Sequence, residues 1–211
     1  MKRFLLAISL VAALRVAAQP VEVQTAATNA LATLAQLTTS RNFDKLGFAT
    51  TNDTSHMTLG GPFPLYVLGS PQVFHPSAVT NANSLFLLTN VTHYLYPVIV
   101  SNQVRTSFTI QKHGNQWRGT AYGDADFVRL LVTTQTNLLA PGNPALATSF
   151  AVRVPPLGAQ FLGYTGGQDV QLTLLAQRAS LDSLAVGSPT NANRVLGEVR
   201  TAIDEKSGFP E

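Results

Sequence analysis

No cysteine occurs anywhere in the 211 residues, although the chain opens with a layout suited to export. An exported protein without cysteine has no disulfides to staple it, so its apolar core must hold the fold alone. The export reading rests on the N-terminus. Lys2 and Arg3 form a positive start, an apolar run follows from Phe4 to Leu14, and Val16-Ala17-Ala18 places small or apolar residues before Gln19-Pro20. Arg15, close to the cut, departs from the usual pattern. The apolar run is shorter than the about 20 residues that span a bilayer. The expectation is a signal peptide at 1–18, removed by cleavage, then one domain over 19–211. That domain reads as two halves, 19–135 and 148–211, joined by a segment rich in Pro and Gly. A chain of this length can bury most of its apolar surface.

The same cut changes the charge balance. Lys2, Arg3 and Arg15 account for the formal charge of +3, because the remaining 11 basic residues balance 11 acidic ones. No run of Lys or Arg exceeds two residues, so nothing forms a phosphate-binding patch and no nucleic-acid partner is expected. No later apolar run approaches bilayer length, so no transmembrane anchor is expected in the mature chain. The expected location is a periplasm or the exterior of a bacterial cell. Asn52-Asp53-Thr54 and Asn90-Val91-Thr92 are formal glycosylation sequons, which a bacterial source makes chance matches.

Periodicity predicts the elements. Val23, Ala27, Ala30, Leu31, Leu34 and Leu37 recur at helical spacing, which predicts an amphipathic helix over 21–39. Leu65–Leu68 reads as a short strand, 69–83 as a Ser/Pro/Thr/Asn-rich loop, and Leu85–Thr89 as a further strand. Tyr94 to Tyr122 reads as a three-stranded antiparallel meander, with Pro97 marking an edge or a bulge. Val104, Thr106, Phe108 and Ile110 share one side of its middle strand by simple alternation. Asp124 then starts a helix as its N-cap, and Thr136–Ala147 reads as a linker. Strands at 149–154, 160–164 and 170–176 and a helix at 193–206 complete the second half. The fold class is α+β: antiparallel β-meanders with helices packed on one face.

Motifs for chemistry are sparse. Asp124 and Asp126 form a carboxylate pair, but they lack the further oxygens of a Ca²⁺ loop and read more simply as helix-start charges. The histidines at 56, 75, 93 and 113 show no local pairing for zinc, so no metal or cofactor is expected. His56 and His75 lie in loops, where they could converge with Asp53. Gly-x-Ser-x-Gly, Ser-x-x-Lys and Gly-rich phosphate loops are absent, and Ser70 and Ser188 sit in Gly-Ser-Pro turns. Gly61-Pro62-Phe63-Pro64-Leu65-Tyr66 is the most distinctive stretch. Its prolines fix an extended backbone that either presents Phe63 and Tyr66 to a partner or leads them into a buried strand. Phe161, Tyr164 and Trp117 are candidates to line a small pocket. The leading expectation is a non-catalytic binding module of the cell envelope. Its partner is an envelope protein or a small ligand, and Phe63, Tyr66, His56 and His75 are the candidate binding residues. The alternative is a secreted hydrolase with dispersed residues, drawn from His56, His75 and Asp124.

Overall fold

A computed structural model describes residues 19–68, 91–138, 149–166 and 169–207. The segment 1–18, the loop at 69–83, the strand expected at 85–89, most of the linker and His75 lie outside the described residues. Among them, nine strands build one mixed sheet of mostly antiparallel pairs. The strands are β1 (Thr58–Leu59), β2 (Phe63–Val67), β3 (His93–Val100), β4 (Gln103–His113), β5 (Gln116–Gly123), β6 (Phe150–Val154), β7 (Ala159–Gly166), β8 (Asp169–Leu174) and β9 (Pro189–Asn191). The spatial order is β5-β4-β3-β2-β6-β7-β8-β9, with β1 also on β3. The single parallel pair among the described strands is β2–β6, which joins the two meanders into one sheet. No described helix is long and apolar enough to cross a membrane.

Turn chemistry sets the first meander. Ser101 and Asn102 form the two-residue β3–β4 loop with φ of 49° and 61°, the positive pair that a tight hairpin of this hand requires. Gly114, with φ 58°, opens the two-residue β4–β5 loop. Pro97 is not at an edge. Gly60 N–H donates to the Pro97 carbonyl at 2.8 Å, so the nitrogen of Pro97 also faces the Gly60-Gly61-Pro62 break between β1 and β2. Its missing N–H therefore costs no ladder bond.

Among the described residues, three α-helices cover the sheet: α1 (Val21–Leu37), α2 (Ala125–Leu138) and α3 (Ala192–Ser207). The small residues Ala26, Ala27 and Ala30 let α1 lie close over Tyr96, Val98, Phe108 and Ile110. At Gly119 on β5, a Cβ would stand 2.9 Å from that of Ala30. α3 sets Val195, Leu196 and Val199 on Phe150, Val152, Phe161 and Leu172. α2 packs Phe127, Val128 and Leu131 on Phe63, Leu65, Leu95, Ala151 and Leu162. Neighbours along one strand point to opposite faces. Leu95 and Tyr96, like Ala151 and Val152, fall in different clusters, so α2 lies on the face opposite α1 and α3. The one-face expectation thus describes α1 and α3, while α2 makes the sheet covered on both sides. That double cover explains why β3 and β6 read as nearly continuous apolar runs.

Candidate functional site

Only 12% of the chain is charged, yet six charged side chains meet at one cleft of about 490 Å³. Asp44, Lys45, Arg105, Asp124, Asp126 and Arg129 line it, together with Gly47, Phe48 and Ala49. Three local departures from regular structure build it.

The first is a β-bulge. Val98 pairs with Thr106 and Ile99 with Val104, so Arg105 is the unpaired extra residue of β4. A bulge re-aims the side chain it carries. It also reverses the alternation: Thr106 is buried with its strand partner Val98 on the α1 face, whereas Val104 packs on the α2 cluster. The expectation that Val104 and Thr106 share a face fails for this reason.

The second is Gly47. Its φ is 91°, and a Cβ there would stand 2.4 Å from the Arg105 carbonyl oxygen and 2.8 Å from the Ala125 Cβ. Only glycine lets the segment after α1 lie this close to both walls. The third is Asp124, with φ 67°, which turns the chain into α2. Its carbonyl accepts the Val128 N–H, but its carboxylate pairs with Arg153 of β6. The side chain expected as an N-cap thus ties the start of α2 to the second meander.

Arg129 locks the walls together. Its Nε donates to the Val104 carbonyl at 3.1 Å, and one terminal nitrogen donates to Arg105 at 3.0 Å and Gly47 at 3.4 Å. Its other nitrogen faces Asp126 at 3.6 Å. Arg129→Gln should cost about 2 kcal/mol in urea unfolding, because three carbonyls lose charge-assisted donors. An unchanged midpoint would remove Arg129 from this role. Arg153 lies with its guanidinium 4.3 Å from the centroid of the Phe127 ring. Burial pulls its pKa down, and Asp124 opposes that shift.

Arg105 differs from these two arginines. Its guanidinium makes no hydrogen bond or ion pair among the described residues, while its Nε, like that of Arg153, is buried without a partner. The side chains of Lys45 and Asp44 are likewise unengaged among them. Asp53, which feels the Arg105 charge, is already held by the amides of Ala49 and Thr50. Those bonds, the Ala49 amide first, keep its carboxyl below the usual aspartate range.

The sequence-based candidates lie elsewhere. Phe63 is 4% exposed in the core beneath α2, which leaves it no free surface for a partner. Tyr66 packs edge-on against Phe150 at 5.4 Å, and burial lifts its pKa to about 12. His56 is exposed at the end of a 3-10 turn over 51–56, away from the cleft lining. Phe161 and Trp117 belong to different core clusters. Among the described residues, no group of three or more His, Asp or Glu is placed to hold a metal ion. Arg105, Lys45 and Arg129 were not singled out from sequence. No motif marks them, because their meeting depends on a bulge and on the Gly47 contact.

His93 offers a check on β3. Burial, and then the nearby His113, hold its pKa below 6.5. The unfolded chain therefore binds the proton more readily, and stability should fall as pH drops from 6.5 through the folded value. His93→Gln should flatten that decline in a pH series of urea midpoints. An identical slope in both proteins would contradict it.

No protein-family model, curated protein or solved structure matches the chain.

Proposed function

We propose that the protein is an exported, non-catalytic binding module that holds a small polar ligand in the Arg105 cleft. One observation carries this reading: a bulge lifts Arg105 out of the strand pattern and leaves its guanidinium without a hydrogen bond or ion pair among the described residues, on the lining of an open, charged cleft. A charged donor group left unpaired at a concave site is suited to receive a polar ligand. The surroundings favour a ligand over an accident of packing. Gly47, Arg129 and Asp124 each adopt an unusual contact or conformation that keeps these walls apart and in register. Rigid support of this kind is what binding sites require.

The hydrolase alternative gains nothing from the geometry. Asp124 is engaged by Arg153, and no histidine among the described residues lines the cleft. The export layout of 1–18 and the cysteine-free composition are the support for putting the module in a periplasm or outside the cell. There a compact binder can capture a small solute or carry one to a membrane system.

The test compares native and denatured masses of the protein recovered after export from its own host. The expected result is extra native mass that disappears on denaturation, and no such mass for Arg105→Gln. Equal extra mass in both proteins, or none in either, contradicts the assignment. The denatured mass also reports whether cleavage follows Ala18.

A further inference from the structure

We propose that Gln19 becomes a pyroglutamate once 1–18 are removed, so that the mature chain begins with an uncharged lactam; this rests on the export reading above. A cut after Ala18 turns the Gln19 nitrogen into a primary α-amine. That amine and the side-chain amide carbon, Cδ, belong to one residue and can close a five-membered ring. The nitrogen attacks Cδ, an N–Cδ bond forms and the Cδ–Nε2 bond breaks. Nε2 takes up the displaced proton and leaves as ammonia, so no oxidant, metal or second reactant enters.

The surroundings of Gln19 favour closure. Gln19 is only half-buried and Pro20 is exposed, so ammonia can leave to water. The ring uses the nitrogen, Cα and side chain of Gln19 and leaves its peptide bond to Pro20 untouched. The Pro20 carbonyl accepts the Val23 N–H at 3.0 Å, and no side chain caps the start of α1. An α-ammonium on Gln19 would therefore lie beside the positive end of a helix, where a cation is disfavoured. The same field favours the neutral amine, the form that attacks, and an α-amine with a pKa of about 8 is already partly neutral at physiological pH. Glu22 in the first turn acts in the opposite sense. It can slow closure, but the loss of ammonia keeps the ring from reopening.

Tyr96 accommodates the change. The Gln19 side-chain amide donates to the Tyr96 hydroxyl. That tyrosine is 1% exposed, in the cluster under α1, and burial lifts its pKa to about 12, so it keeps its proton. A phenol both accepts and donates. Closure removes Nε2 but retains the carbonyl oxygen, to which Tyr96 can donate instead, so a buried hydroxyl is not left unmet. The closed end also offers no amine to aminopeptidases, which suits a chain that works outside the cytoplasm.

The experiment is the denatured mass and N-terminal peptide fragmentation of the protein at harvest, after export from its own host, beside Gln19→Asn. The asparagine keeps an amide but could close only a strained four-membered ring. The expected mass is that of residues 19–211 less one ammonia, with the loss placed on Gln19, whereas Gln19→Asn should lose nothing. An intact 19–211 mass would keep the cut after Ala18 and overturn the ring. A ring that forms only on storage, or an equal loss in Gln19→Asn, would overturn it as well. A chain that retains 1–18, or is cut elsewhere, would overturn the ring together with the expected cleavage.

Discussion

Gly163→Ala should destabilise the protein by about 3 kcal/mol, the upper part of the range for overpacking a core. Gly163 of β7 pairs with Phe150 of β6, and the Phe150 ring lies across the glycine. A Cβ there would stand 2.2 Å from the nearest ring carbon. Phe150 is 1% exposed and is wedged edge-on against Tyr66, so the ring has nowhere to retreat. Phe150→Leu should rescue part of the loss by removing the colliding ring. Urea midpoints of the two single variants and the double variant form a cycle, and the double should be less destabilised than the sum. Strict additivity would show that the glycine and the ring do not meet.

Gly47→Ala should cost about as much, roughly 3 kcal/mol, from a disfavoured backbone region combined with a backbone clash. The φ of 91° is poor for any side chain, and the new methyl would press on the Arg105 carbonyl, which cannot swing away. That carbonyl is also held by Arg129. The control is Gly114→Ala, where φ is 58° but nothing lies within 4 Å of the added carbon. There only the left-handed backbone is penalised, by about 1 kcal/mol. The difference between the two variants isolates the close approach. Gly47→Ala should also weaken binding in the cleft, whereas Gly114→Ala should leave it intact. Equal costs for both would mean that Gly47 serves its backbone angle alone.

Much of the scaffold was legible in the sequence because it is local. The Ala-rich spacing of 21–37, the alternation of the first meander with its Ser-Asn and Gly-Asn turns, and the apolar stripe of α3 each declare an element within one window. What escaped is non-local or very short. β1 and β9 have two and three residues, too few for a period. The parallel pairing of Leu65–Val67 with Ala151–Arg153 joins segments more than 80 residues apart in the chain, and no local pattern announces it. The Pro-Phe-Pro stretch carried two opposite meanings, and the cover supplied by α2 decides that Phe63 is core.

The cleft was illegible for a sharper reason. Strand alternation assigns Arg105 a side, but one extra residue flips everything after it, and bulges leave little trace in composition. Asp124 stood out by its spacing to Asp126. Its real partner, Arg153, is 29 residues away on another strand. Gly47 gave only the weak message that glycine always gives.

The central claim is that a ligand sits between the 44–49 segment, the bulge at Arg105 and the start of α2. Hydrogen–deuterium exchange tests it most directly, on the exported protein as recovered and again after unfolding and refolding strip any retained molecule. Faster exchange confined to 44–49, 104–106 and 124–129 after stripping, reversed by returning the released low-mass fraction, is the predicted result. Identical exchange before and after stripping, or changes confined to other surfaces, would contradict it.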